Sequence, residues 1–205
     1  MLNWIKNHFN TLFNLQLNTS VTDLHGNSIP LEEGFKRYIQ NVKSIRHANS
    51  KLIFIGNGGS AGIASHLAID YSKNGSLPAL TFSDASAITC LSNDYGYEHV
   101  FAKQIEFHAR KGDVLIAISS SGQSSNILSA VTAAKKISCP VITFSGFKAK
   151  NPLSQQGDLN FYVDSQEYGF VEVAHMALGH AMLDYIIEAE KKQTETTQQP
   201  NLAAV

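Results

Sequence analysis

The chain has 205 residues, 43% hydrophobic and 16% charged, with 16 basic against 17 acidic side chains and a formal net charge of -1. That length supports one domain with a sizeable core plus attached helices, and the balanced charge argues against nucleic acid as a main partner, which would call for a basic face. No uninterrupted apolar run approaches the ~20 residues that span a bilayer, and residues 1–17 mix Asn, Lys and His with apolar residues unlike a signal-peptide core, so a cytoplasmic protein without a membrane partner is expected.

Two helical patterns come first. Leu2, Ile5, Phe9, Leu12, Phe13 and Leu17 recur at helical spacing, and so do Phe35, Ile39, Val42 and Ile45. Residues 23–30 between them read as a loop around His25-Gly26-Asn27. Strands are then predicted at 51–56 (KLIFIG), 79–83 (ALTFS), 113–119 (DVLIAIS), 140–145 (PVITFS) and 159–164 (LNFYVD). Helices are predicted at 60–73, 101–110 and 124–137, and from Phe170 to about Glu190. Five apolar strands separated by helices imply a five-stranded parallel sheet covered on both faces, a three-layer α/β sandwich. The expected organisation is N-terminal helices for packing or oligomerisation at 1–50, the α/β domain at 51–190, and a polar, disordered tail at 191–205. Cys90 and Cys139 form no CxxC pair and read as reduced, buried thiols.

In such sheets ligands bind at the carboxyl ends of the strands. The first strand ends in Gly56-Asn57-Gly58-Gly59-Ser60 before a helix. Glycines let the backbone come close to a ligand, and Ser60 is placed to cap a helix whose N-terminus favours an anion. No Gly-Lys-Ser/Thr follows, so this is no Walker A loop, and it lacks the GxGxxG dinucleotide spacing. The third strand ends in Ser119-Ser120-Ser121-Gly122-Gln123-Ser124-Ser125-Asn126, also at a helix start. Hydroxyls and free N–H groups there suit a phosphate monoester held by neutral donors.

The segments GNGGSAGIASH, SNDYGYEHVFAKQ and GDVLIAISSSGQSSNIL resemble the sugar isomerase (SIS) domain, and more narrowly the bacterial phosphoheptose (sedoheptulose 7-phosphate) isomerases. The resemblance covers about residues 51–188. It implies a flavodoxin-like fold and a homotetramer with sites at subunit interfaces. It also implies conversion of sedoheptulose 7-phosphate to D-glycero-D-manno-heptose 7-phosphate, a step toward lipopolysaccharide or capsule. Carried over by motif, the phosphate would lie on Ser60, Ser119, Ser121 and Ser124, beside Asn57, Gly58, Gly59 and Ser120. Asn93 and Asp94 match a substrate-contact segment, although Asn-Asp and Tyr-Gly are also good turn formers.

Aldose–ketose isomerisation moves a proton between adjacent carbons through an enediol, so it needs a base, a group for the oxygen protons, and ideally a cation. His66 and Asp70 are four apart on one helix, on one face, which suits shared metal ligation or a simple hydrogen-bonded pair. The resemblance makes Asp70 and His180 the acid/base pair. It makes His66, Asp70, Glu172 and His180 the ligands of a divalent metal, zinc first. Two residues depart from the family's pattern: Asp70 stands where a Glu is usual and Glu172 where a Gln is usual. Glu172 and His180 are about 12 Å apart along an ideal helix, so Glu172 either leans toward the ion or contacts sugar hydroxyls. His175 points about 140° away from His180 and reads as structural.

The alternative is a non-catalytic SIS regulator or replication-associated adaptor. Ionisable groups at both catalytic positions favour the enzyme, and no basic recognition helix is evident. A dinucleotide-dependent dehydrogenase is disfavoured by the first loop, and Asp84 after the second strand reads as a helix cap.

Overall fold

A computed structural model describes residues 1–46 and 50–198. In chain order the elements are α1 (Leu2–Leu17), β1 (Ser20–Asp23), β2 (Ser28–Ile29), α2 (Leu31–Ser44), β3 (Leu52–Gly56), α3 (Gly59–Lys73) and β4 (Ala79–Thr81). There follow α4 (Ala85–Tyr95), α5 (Val100–His108), β5 (Val114–Ser119), α6 (Ser125–Lys136), β6 (Val141–Ser145), β7 (Leu159–Tyr162) and α7 (Tyr168–Gln198). The sheet order is β2-β1-β7-β6-β5-β3-β4.

The five predicted strands are present and parallel. Their residues alternate between two apolar clusters, one on each face. Leu52 and Phe54 of β3 join one cluster and Ile53 and Ile55 the other, as do Ile116 and Ile118 against Leu115 and Ala117 of β5. This two-residue period, with every position apolar, is what a strand covered on both faces requires.

The sheet has seven strands rather than five. Residues 23–30, expected as a loop, contribute to a hairpin: β1 pairs antiparallel with both β2 and β7. The Asp23 carboxylate accepts from the backbone N–H of His25 and of Asn27, each at 2.9 Å, and so closes the turn. Strands of four and two residues are too short to register as periodicity.

α4 follows Asp84, where the sequence offered a helix cap but no helical range. Asp84 caps it as expected, accepting from the Ala87 N–H at 2.8 Å. Leu91 is its one buried residue, so the segment carries little apolar signal. Cys90 lies on its solvent side and is exposed, correcting the expectation of two buried thiols; Cys139 is buried. α7 runs on to Gln198, so residues 191–198, expected as part of a disordered tail, are helical; residues 199–205 lie outside the described residues. α7 is long and apolar enough by composition to cross a membrane, and half of its apolar window is buried inside the fold. It packs against α1, α2, α3 and β6 as the core helix of one layer.

Candidate functional site

Taken alone, the parallel strands run in the order β4-β3-β5-β6-β7, so the direction of winding reverses between β3 and β5. Such a switch point opens a crevice at the strands' carboxyl ends. Both loops singled out from sequence leave there and face each other. They line a cavity of about 240 Å³ with Asn57, Gly58, Gly59, Ser60, Ser119, Ser120, Ser121 and Ser124, closed on the far side by Tyr168 and Glu172 from the start of α7.

The serine loop is held by its own hydroxyls. Ser119 Oγ accepts from the Gly122 N–H at 3.2 Å and lies 3.4 Å from Ser124 Oγ. Gly122 has φ +62°, and a Cβ there would collide with the Asn151 side chain, so glycine alone fits the turn. The Asn151 amide in turn donates to Ser145 Oγ, Gly146 O and Lys148 O, and the serine loop is anchored to that segment by the N–H groups of Gly146 and Leu153, which donate to Ser120 O and Gly122 O at 3.0 Å each. Ser124 is the N-cap residue of α6, without a side-chain capping bond. Ser120 is 4% exposed, and its hydroxyl has no hydrogen-bond partner among the described residues. A buried unsatisfied hydroxyl costs about 1–3 kcal/mol. Ser60, expected as the cap of α3, is instead buried in its first turn, with Gly58 at the cap.

The two loops are tied together by a pair that sequence reasoning missed. Asn57 Nδ2 donates to Asn126 Oδ1 at 2.8 Å, and Asn126 Nδ2 donates back to Asn57 Oδ1 at 2.9 Å. Tyr97 Oη donates to the same Asn57 oxygen at 3.0 Å. Asn126 is 1% exposed. It sits inside the serine motif, but its partner is 69 residues away and no spacing announces it.

α3 and α7 cross close together and carry the ionisable groups. Gly179 makes the approach possible, since a Cβ there would meet the Leu67 side chain, and Tyr71 Oη donates to Gly179 O at 3.0 Å. His66 Nε2 lies 3.2 Å and His180 Nε2 3.8 Å from the same oxygen, Asp70 Oδ2, and the imidazole centroids are 5.1 Å apart. All three ligating atoms fall within 4.8 Å of one another. Ligands about 2.1 Å from a tetrahedral zinc stand about 3.4 Å apart, so these three residues fit a divalent ion.

Glu172, expected as a fourth ligand, is not in that cluster. Its carboxylate lies against Gly59 and lines the serine cavity. The eight-residue offset from His180 places it about 12 Å up the helix, at the serine cavity and away from the cluster. Asn93 and Asp94 are exposed at the end of α4, bonded to each other at 2.9 Å, and do not line the cavity within one chain. His175 is buried, with Nε2 3.1 Å from Ser145 O and its ring edge-on to Phe144. Burial pushes it down to about 4, partly opposed by that carbonyl, so it is neutral and packs α7 onto the sheet.

With crevice, serine cradle and His–Asp–His cluster in place, the class is defined: residues 30–146 match the SIS domain, and the chain belongs to that family. Within it, the chain is similar to the phosphoheptose isomerases. The phosphoheptose isomerase of a Nitratiruptor species is 41% identical over 145 residues, covering 68% of this chain and 77% of that one. That of Colwellia psychrerythraea is 34% identical, covering 91% and 95%. The structure of phosphoheptose isomerase from Neisseria gonorrhoeae superposes with a TM-score of 0.77 at 30% identity, covering 90% of this chain and 97% of that one.

Proposed function

We propose that the chain is an aldose–ketose isomerase acting on a phosphorylated sugar, sedoheptulose 7-phosphate first. The observation that carries this reading is a serine-lined cavity at the N-termini of α3 and α6 with the Asp70–His180 pair farther along the α3–α7 crossing. His66 lies two turns along α3 from Gly59, about 10 Å of helix axis, a span suited to a sugar with its phosphate and carbonyl at opposite ends. The names of the relatives support the same substrate.

Phosphate is held by the hydroxyls of Ser119, Ser121 and Ser124 and by the N-termini of α3 and α6, with Ser60 beneath. This anchors the far end and orients the carbonyl end, which supplies much of the rate. Asp70 takes the proton from C1 of the ketose and leaves an enediol. The same proton, or one exchanged from solvent, returns to C2, while His180 carries the hydroxyl proton from O1 to O2. His66, Asp70 and His180 would hold a divalent cation, zinc by its preference for imidazole and carboxylate, and that cation would stabilise charge on the sugar oxygens. Aspartate is one methylene shorter than glutamate. Here the close α3–α7 crossing brings it within 3.8 Å of His180, which favours a working pair. We also place the protein in the cytoplasm, where sugar phosphates are made, and assign it a homotetramer in which a partner supplies Asn93 and Asp94.

The test is turnover of sedoheptulose 7-phosphate followed by NMR, with and without added Zn²⁺. Wild-type protein should form the aldose. Asp70→Ala and His180→Ala should each lower kcat by about 10²–10⁴. Variants as active as wild type would overturn the assignment.

A further inference from the structure

We propose that Glu172 is a built-in competitor of the substrate's phosphate, an anion that the protein keeps at its own cradle to hold phosphate affinity down. The inference rests on reading the serine cavity as the phosphate site. The Glu172 carboxylate lies directly over Gly59, the first residue of α3, where both of its oxygens and Cδ would meet a Cβ if Gly59 carried one. The cap residue, Gly58, offers no side chain to the free N–H groups of that helix end. A carboxylate is therefore stationed where the helix favours negative charge.

The same carboxylate lines the cavity formed by Ser119, Ser120, Ser121 and Ser124, and no Lys or Arg is among the lining residues. Ser120, also in this wall, is buried with its hydroxyl unpartnered among the described residues, so the wall offers the carboxylate no compensating cation. An entering phosphomonoester thus places its charge beside a fixed carboxylate, with neutral donors alone to offset the repulsion. It must either push Glu172 out of the groove or bind against it. Both weaken binding, and both speed the departure of a phosphorylated product. Glu172 acts on affinity here as a specificity-setting residue, separate from the proton transfers at Asp70 and His180.

The experiment is calorimetric titration with glycerol 3-phosphate, a phosphomonoester without a carbonyl to isomerise, on wild-type protein and on Glu172→Gln. The amide keeps the shape and removes the charge. Glu172→Gln should bind roughly tenfold more tightly, about 1.4 kcal/mol of repulsion removed. The gain should shrink as salt rises. Glycerol itself should show no gain, and KM for the sugar phosphate should fall by a similar factor. A residue that merely supports the fold would not give tighter binding when changed. Equal or weaker binding by Glu172→Gln, in a protein whose affinity is lost in Ser124→Ala, would overturn the inference and leave the cradle intact. If neither wild type nor Glu172→Gln binds glycerol 3-phosphate, the phosphate reading of the cavity falls, and the inference with it.

Discussion

His175 shows how one buried imidazole ties stability to pH. Its pKa falls from 6.5 to about 4 because burial disfavours the charged ring. The unfolded chain takes up a proton near pH 6.5 and the folded chain does not. The stability this residue supports is therefore complete above pH 6.5 and is lost as pH falls from 6.5 toward 4. The loss amounts to about 3 kcal/mol. Urea denaturation at pH 7 and pH 4.5 should show this drop in wild type, and a smaller one in His175→Gln. Equal drops would mean that other groups carry the pH dependence. The Asn57–Asn126 pair supports a second prediction. In Asn126→Leu both reciprocal amide bonds are lost and Asn57 keeps only the Tyr97 hydroxyl. Each lost bond is worth about 0.5–1.5 kcal/mol. The loops should separate enough to raise KM several-fold while kcat changes less, because Asp70 and His180 stand elsewhere. A steady-state comparison reads this split directly. The serine motif, the glycine loop and the His66–Asp70 spacing were all legible in sequence. The Asn pair and Tyr168 were not, because their meaning depends on partners distant in the chain.

Among the elements, the α3–α7 crossing does the positioning. His66 and Asp70 ride on one helix and His180 on the other, so their geometry is set by how closely the backbones approach. Gly179 sets that distance: an added Cβ would press on the Leu67 side chain, which is 1% exposed and has little room to yield. Gly179→Ala should therefore cost about 1–3 kcal/mol by overpacking, despite the better helix propensity of alanine. Thermal denaturation should show a lowered midpoint. Zn²⁺ affinity should fall with it, since the ligands on the two helices move apart. An unchanged midpoint with unchanged Zn²⁺ affinity would show that the crossing has slack. The five core strands could be read from sequence because each is an apolar run between helix-length segments. The β1–β2 hairpin and α4 could not. The hairpin's register comes from pairing with β7, and α4 buries too little to show a periodic face.

For the whole molecule, the decisive surface is α1. The sequence pattern gives it an apolar stripe, yet none of its residues is buried in the single chain. Its contact with the body runs largely through α7, where His8 lies 4.6 Å from the Phe170 ring, while Trp4 is 67% exposed, Phe9 63% and Phe13 59%. Further apolar side chains, Ile69 on α3 and Val173 and Tyr185 on α7, also face solvent. Exposed apolar side chains grouped in this way are costly in a lone chain, and the proposed homotetramer would cover them. Asn93 and Asp94 lie outside the cavity of their own chain, so their proposed contact with the sugar requires a neighbouring copy. Phe9→Asp combined with Phe13→Asp places two charges in the stripe and changes nothing in the cavity or the cluster. Light scattering on a sizing column should show wild type as a tetramer of 22.4 kDa chains and the double variant as smaller species. If the sites are shared between subunits, isomerase activity should fall with assembly even though glycerol 3-phosphate binding persists. Full activity in a monomeric double variant would place every catalytic and substrate contact within one chain and remove Asn93 and Asp94 from the site.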